Sequence, residues 1–595
     1  MSIDLCLVVP PFAQVETPTL GVAILAAACR ARGMTVAVIH ANLMLAARTG
    51  YPAYRDVANS NTASLVGERL FLPHAYGPGP GKEFDPLAPL SAPLQAQHDA
   101  VAPAVAPLLD AVCAQILAFR PRLLGISSSY QQTLASSAIA YRIKAAAPAT
   151  RIAFGGPNAS APMGEALAEI FPWIDHFFSG EADIVLPDFC ASMLGEHGYG
   201  LPRVIHCPPL MDMRSSPAPD FSDYFADLRV LGGALPATLP EALPVETSRG
   251  CWWGAKNHCT FCGLNGATMM FREKPAATAL DEIDALEHRW GVGRFAAADN
   301  IMPLPYLTEL LPRLAEREHR PALFYEVKAN LNYDQLALMA RAGIDRIQPG
   351  IESLSSPVLK LMRKGTSAQR NIALLRDCRS LGIGVTWNYL FGFPGEATAH
   401  YATVAPLIPA IEHLEPPNDF SPLIVDRFSP YHATPAAFGI EGIEPIVAYR
   451  GLFPRAARLD AIAYHFRGRY TTELLDDPGT KLAMGRAIGI WRLQWIARAA
   501  PELKIATQNG AQVLIDTRRI ATTPCIPLPP EWDCALRLLE RPRARSDLGV
   551  GGAVLDALIE RHCVIEHEGL LLSVVTREPV AQAAKPPAYA KTSAV

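Results

Sequence analysis

Short apolar runs alternating with helical stretches constrain this chain most. IDLCLVVPP (3–11) is apolar throughout, the pattern of a strand buried on both faces, and such strands belong to parallel sheets covered by helices. LGVAILAAACRARG (20–33) reads as a helix with a glycine stop, and GMTVAVIHA (33–41) as a second strand. LLGISSSYQQT (123–133), IAFGGPNAS (152–160) and WIDHFFSGEAD (173–183) are three more strands, with ASSAIAYRIKAAAP (135–148) a helix between them. Residues 1–206 therefore read as an α/β unit, an open parallel sheet with helices on both faces. A Pro- and Ala-rich insertion, 45–120, is expected to pack as helices over its rim. Ligands of such sheets bind outside the carboxyl ends of the strands. Those ends hold Pro10 and Pro11; Ser127, Ser128, Ser129, Tyr130, Gln131, Gln132 and Thr133; Gly155, Gly156 and Asn158; and Gly180 and Glu181. Small and polar loops gathered on one rim suit a large polar cofactor.

Residues 207–244 are Pro-rich and read as a linker. From 245 the strand–helix pattern resumes. VETSRG, RFAAADN (294–300), LFYEVKAN (323–330), RIQPGIES (346–353), GVTWNYLFGFPGE (384–396) and DFSPLIVDRF (419–428) are candidate strands. Six such units over 245–450 make a partial (β/α)6 barrel of TIM type, whose chemistry belongs at the carboxyl ends of its strands. The first of these ends carries three cysteines, Cys251-x7-Cys259-x2-Cys262. Three thiolates can hold a [4Fe–4S] cluster and leave one iron open. With His258 they could instead form a Cys3His zinc knuckle. No second cysteine pair follows to complete a zinc ribbon, glycines 250, 254, 263 and 266 permit close backbone approach, and a barrel pattern comes next. These features favour the cluster.

At 595 residues the chain holds several domains. A net charge of −4 gives neither a nucleic-acid footprint nor an acidic tail. The apolar stretch LGVAILAAACRARGMTVAVI is cut by Arg30 and Arg32, so no membrane span is expected. The start, MSIDLCLVVPPF, lacks the basic segment of a signal peptide. Twelve irregularly spaced cysteines fit a reducing cytoplasm. Residues 451–580 read as an α+β unit: a long helix over 479–500, then helix (531–540), helix and a hairpin turning at Glu568-Gly569, the order of a winged helix. A disordered tail is expected over 581–595.

The cysteine loop, GIES and FGFPGE together resemble the radical S-adenosylmethionine (SAM) superfamily. The wide x7 spacing, GCWWG before and CGLNG after, resembles the cobalamin-dependent methyltransferases of that superfamily, in particular those serving thiopeptide antibiotic biosynthesis. The resemblance covers about residues 1–450. It implies a Rossmann-like cobalamin domain at the N-terminus, a SAM-binding barrel and a [4Fe–4S] cluster on Cys251, Cys259 and Cys262. ISSSYQQT, FGGPN and MGEAL match the cradle for cobalamin, used as methylcobalamin. The Asp-x-His-x-x-Gly pattern that supplies a cobalt ligand is absent, so a cobalt without histidine is expected.

The same resemblance implies roles for single residues. Glu273, within Arg272-Glu273-Lys274, is expected to cap the open iron as a fourth metal ligand. Arg69 is expected under cobalamin, forbidding a sixth cobalt ligand. SAM is expected on Glu326, Lys328, Gln348, Glu352, Ser353 and Asn388. Tyr325, Trp387 and Tyr389 are expected as aromatic walls for an indole. The implied activity moves a methyl from SAM through cobalamin to C2 of L-tryptophan by a polar route, with an electron donor as partner. The alternative is radical C-methylation of a ribosomal precursor peptide. A non-catalytic cobalamin sensor is the remaining reading.

Overall fold

The computed structural model describes residues 2–60, 63–77, 83–194, 201–266, 268–497, 499–549 and 551–577. The tail read as disordered, 581–595, lies outside the described residues.

The first unit is a six-stranded parallel sheet. Its spatial order is Val36–His40, Leu5–Val9, Leu123–Ser127, Arg151–Gly155, His176–Gly180, Val204–Cys207. Alternate residues of the Leu5–Val9 strand enter two different cores. Leu5, Leu7 and Val9 pack with Val22 and Ala26 of the Leu20–Ala31 helix, while Cys6 and Val8 join the larger core on the other face. That double burial is why the strand is apolar at every position. The sixth strand was not legible in sequence. It is a half-exposed edge whose Val-Ile-His-Cys reads as neither buried run nor clean alternation. The order of the first three strands puts the topological switch point between Leu5–Val9 and Leu123–Ser127, at Pro10 and Ser127–Tyr130.

The insertion is helical: Tyr51–Ala58, Val66–Ala75 and Ala92–Phe119. The 28-residue Ala92–Phe119 helix is long and apolar enough to cross a membrane, which corrects the expectation that no such segment exists. Here it buries Val101, Val105, Leu108, Val112 and Ile116, one stripe at helical spacing, in the larger core. The segment read as a linker contains a docked helix, Ser222–Leu231. Ion pairs hold it, Arg30 to Asp220 and to Asp223, both at 2.6 Å, and His40 to Asp227 at 2.8 Å. Docking by charge leaves little apolar periodicity to read.

The second unit is a parallel sheet ordered Leu243–Val245, Arg294–Ala297, Ala322–Val327, Ile344–Pro349, Gly384–Val385. The fifth strand breaks at 386–388 and resumes as Tyr389–Phe391, which pairs with Phe420–Pro422. One bridge, Glu352 to Tyr389, joins the two sets. Six strand positions thus form an open, partial barrel.

Beyond it, Val425–Asp426, His465–Arg469 and Glu441–Pro445 make a small antiparallel sheet that sequence did not suggest. The helices Pro530–Leu538 and Gly552–Glu560 precede a hairpin, Val564–His567 with Leu570–Ser573, which turns at Glu568 and Gly569. The helix–helix–hairpin order matches the expectation, with a four-stranded sheet added beside it.

Candidate functional site

The cysteine loop leaves the barrel's first strand and is closed by a two-residue ladder, Ser248–Arg249 against Arg272–Glu273. Asp299, buried at the end of the second strand, ties this closure. It accepts the Thr247 amide at 2.7 Å and Ser248 Oγ at 2.8 Å. Burial pushes its carboxyl up to about 6 against those bonds. Inside the loop, the Gly254 amide donates to Cys251 Sγ at 3.2 Å. At Gly263 a Cβ would stand 2.1 Å from the Arg427 carbonyl, so the loop presses on the 426–464 segment and glycine is required there. The flanking glycines therefore serve chain-to-chain contact as well as any approach to a metal.

The three thiols share one site. Burial raises Cys251 and pushes Cys262 up to about 12, and the neighbouring cysteines add to both shifts. His258 bonds through Nε2 to the Cys262 carbonyl at 2.8 Å. Among the described residues no three His, Cys, Asp or Glu side chains converge tightly enough for a single ion.

Two lysines face these thiols. Lys364 Nζ lies 3.4 Å from Glu352 Oε1. Burial alone would lower its pKa, but Glu352, Cys259 and Cys262 outweigh that and raise it. Lys328 Nζ stands 3.4 Å above the Trp253 ring. Burial and the charge of Lys364 push Lys328 down to about 8. Glu326 is pushed up to about 7 by burial, with Glu352 and Asp299 adding to it. Lys364 carries no spacing signal in sequence, and Trp253 stood there only as part of GCWWG, without a role of its own.

Strand alternation sorts the expected barrel residues. Glu326, Lys328, Gln348 and Asn388 fall on the half-buried, partly accessible face of their strands. Tyr325, Trp387 and Tyr389 fall on the opposite, helix-covered face and are at most 2 % exposed. Trp387 packs on Trp491 at 6.0 Å and donates to the Glu415 carbonyl at 3.0 Å. Tyr389 Oη meets Ser353 Oγ at 3.3 Å, and Tyr325 Oη lies 3.4 Å from Thr247 Oγ1. These three aromatics are core, which overturns their expected role as indole walls. Ser353 is fully buried with Tyr389, so it too is withdrawn as a SAM contact.

At the N-terminal rim, Ser127, Ser129, Tyr130, Gly155, Gly156, Asn158 and Gly180 are at least partly accessible. Pro10, Pro11, Ser128, Gln131, Gln132 and Thr133 are buried as framework. Gln132 donates to the Pro10 carbonyl at 2.8 Å, and Gln131 accepts the Gly67 amide at 2.7 Å. Asn158 Nδ2 laces the rim, donating to Ser128 Oγ, the Tyr130 carbonyl and Thr133 Oγ1 at 3.0–3.1 Å. Glu181 is not free for a ligand. It pairs with Arg249 at 2.7 Å and Arg272 at 2.8 Å, and accepts the Leu210 amide at 2.8 Å. Arg249 also holds Asp183 at 2.7 Å. This cluster bolts the first sheet to the ladder that closes the cysteine loop.

Arg69 lies on the Val66–Ala75 helix beside the rim, buried, donating to the Ala88 carbonyl at 2.6 Å while its Nε has no partner among the described residues. Glu273 sits on the second strand of the ladder, paired with Ser248, three residues ahead of Cys251. Burial and the charge of Glu309 raise its pKa.

Tyr130, 63 % exposed on the first rim, feels Glu326 of the barrel and Asp426 of the small sheet. Tyr464 feels Asp426, Cys262 and Tyr130 together. A Cβ at Gly263, beside Cys262, would stand 3.1 Å from Tyr464 Oη, so the cysteine loop, Tyr464 and the first rim are neighbours.

Residues 245–405 match the model of the Radical SAM superfamily. They form a radical SAM domain. Among curated proteins the chain is 27 % identical over 197 residues to a bacteriochlorophyllide d C-12(1)-methyltransferase of Chlorobaculum tepidum, covering 32 % of this chain and 40 % of that one. It is 29 % identical over 174 residues to a 4′-phospho-dehydrooxetanocin synthase of Priestia megaterium, covering 25 % and 23 %. The matches span less than half the length of these relatives. Among solved structures, the fold around the radical SAM domain is similar to the cobalamin-dependent radical enzyme OxsB with aqua-cobalamin and SAM bound (TM-score 0.53, 16 % identity, 81 % of this chain and 66 % of that one). It is similar as well to the methyltransferase TsrM of Kitasatospora setae with cobalamin and a [4Fe–4S] cluster bound (TM-score 0.53, 15 % identity, 82 % and 91 %).

Proposed function

We propose that this protein is a cobalamin- and SAM-dependent C-methyltransferase. The observation that carries the reading is the packing of the cysteine loop at Gly263 against Tyr464, on which the charges of Cys262 and of Tyr130 on the first rim both act. Two methyltransferases, one from Chlorobaculum tepidum and one from Kitasatospora setae, support it as relatives in sequence and in fold.

The residues fit both groups. Beside the rim of Ser127, Ser129, Tyr130, Gly156 and Asn158, the buried Arg69 Nε has no partner among the described residues, as a site for a polar ligand would leave it. Three thiols flanked by Lys364 and Lys328 fit an anionic cluster. When bound, cobalamin would supply the methyl relay, and the cluster the electrons or an anchoring iron. The chain's own part is to hold SAM between Glu326, Glu352 and Lys328, and to keep water out with the 426–464 segment.

The finer reading takes L-tryptophan as acceptor at C2, in thiopeptide biosynthesis. Motif order supports it, as does the likeness in fold to TsrM described with tryptophan and a SAM analogue (TM-score 0.51, 15 % identity). One observation favours the radical alternative over the polar route. Glu273 pairs with Ser248 in the ladder, ahead of the loop, and the charge acting on it is that of Glu309, so nothing in its placement marks it as a cluster ligand that would keep SAM from the metal. Reconstituted enzyme, incubated without oxygen with SAM, cobalamin, reductant and L-tryptophan, separates these outcomes by mass spectrometry. Methylated tryptophan with S-adenosylhomocysteine and no 5′-deoxyadenosine establishes the polar tryptophan reading. Abundant 5′-deoxyadenosine, equal in wild type and Glu273→Ala, establishes the radical reading. Absence of any SAM turnover in protein loaded with both cofactors overturns the methyltransferase.

A further inference from the structure

Residues 361–365 connect the helices Ser356–Leu361 and Ala368–Leu381 and lie across the cysteine loop. Thr260, next to Cys259, donates its amide to the Met362 carbonyl and its hydroxyl to the Leu361 carbonyl, both at 3.1 Å. Trp253, two residues past Cys251, donates Nε1 to the Arg363 carbonyl at 3.3 Å. Gly365 has φ +63°, and a Cβ there would stand 2.3 Å from the Trp253 ring, so only glycine lets that indole lie on the strap. Lys328 comes from the barrel strand to the same place, stacked over Trp253 and bonded to the Lys364 carbonyl.

The strap aims one charge back at the loop. The Lys364 side chain is 13 % exposed, with Nζ 3.4 Å from Glu352 and 5.7 Å from the ring of Phe261, which lies between Cys259 and Cys262. A Cβ at Gly350 would meet Nζ at 2.4 Å, so the ammonium is wedged against the barrel strand end. Its carboxylate partner makes a single contact at 3.4 Å and lies on the barrel side of the ammonium. A [4Fe–4S] core held by three thiolates is a net anion and gains a further negative charge on reduction. A fixed cation in a half-buried site stabilises the more negative state more, and raises the potential.

We propose that Lys364 is a positioning residue for the cluster, held over the cysteine loop by the 361–365 strap, and that its charge raises the cluster's reduction potential. This rests on the reading of Cys251, Cys259 and Cys262 as cluster ligands. The test uses full-length protein, reconstituted without oxygen, as wild type, Lys364→Met and Lys364→Arg. Iron and sulfide content is measured, and the midpoint potential is found by redox titration followed by electron paramagnetic resonance. The expected result is full iron in all three, a midpoint moved to more negative potential in Lys364→Met, and recovery toward wild type in Lys364→Arg. Loss of iron in Lys364→Met alone, retained in Lys364→Arg, also supports the role of the charge. An unchanged midpoint in fully loaded Lys364→Met overturns the inference, as does loss of iron in both variants, which would make the strap a matter of shape. Wild-type protein that takes up no iron and sulfide overturns the cluster reading itself.

Discussion

Glu326 carries the clearest pH dependence of any single residue in the candidate site. Burial, Glu352 and Asp299 raise its carboxyl to about 7. A raised carboxyl favours folding while protonated, so that contribution is complete below about 4.5 and disappears as pH rises through about 7. A bound cation reverses the preference, because the ionised carboxylate holds an ammonium or sulfonium group. SAM affinity is therefore expected to rise as pH passes through 7, and Glu326→Gln to flatten that rise, read by equilibrium dialysis across the pH range. Tyr389 makes the opposite case. Its hydroxyl meets only Ser353 and the Leu354 amide inside the core. Tyr389→Phe is expected to lose ~1 kcal/mol of stability in denaturant titration and to leave acceptor KM unchanged. A KM effect without a stability effect would restore it as a substrate wall.

Among elements, the ladder that closes the cysteine loop is held by charge. Arg249 and Arg272 from its two strands meet Glu181, Asp183 and Glu246. Burial would raise Glu181, but Arg272, the Leu210 amide and Arg249 outweigh it and hold the carboxyl below its ordinary value. That stability is present above the ordinary carboxylate pKa and is lost as pH falls through the lowered one. Removing Arg272 leaves Glu181 with Arg249 and the Leu210 amide. Arg272→Met is expected to cost about 1.5–3 kcal/mol and to quicken proteolysis between the first sheet and the barrel. An unchanged digestion pattern would show that other contacts hold the two units together. The motif Arg272-Glu273-Lys274 was legible in sequence, yet its roles were not. Strand alternation turns Arg272 and Lys274 to one side, toward Glu181 and Glu282, and Glu273 to the other.

Across the whole molecule, the C-terminal unit is welded to the barrel's helical coat. Trp491 and Trp495 donate to the Leu414 and Glu412 carbonyls at 2.8 and 2.9 Å. Arg376 reaches the Ser573 and Glu540 carbonyls, and Gln369 the His567 carbonyl. Trp491→Ala removes a fully buried side chain packed on Trp387 and is expected to cost about 3–5 kcal/mol in thermal or denaturant unfolding, with iron binding by the folded fraction intact. If iron binding fell in protein that remained folded, the C-terminal unit would be acting on the site as well as bracing it.

Local signals carried the strands and the cysteine triplet. A strand buried on both faces must be apolar at every step, as Leu5–Val9 is, and three thiols within twelve residues are near one another along the chain before any packing. The barrel's six strand positions and the polar rim were readable for the same reason. Facing was not readable. Tyr325 and Glu326 are adjacent in sequence, yet one enters the helix-covered core and the other the partly accessible face, because neighbouring side chains on a strand point oppositely and only sheet closure says which way is in. Lys364 stands beside the thiols, 102 residues beyond Cys262, because a connection between two helices crosses the loop. Nearness across that distance is made by packing, and packing exists only in the folded chain.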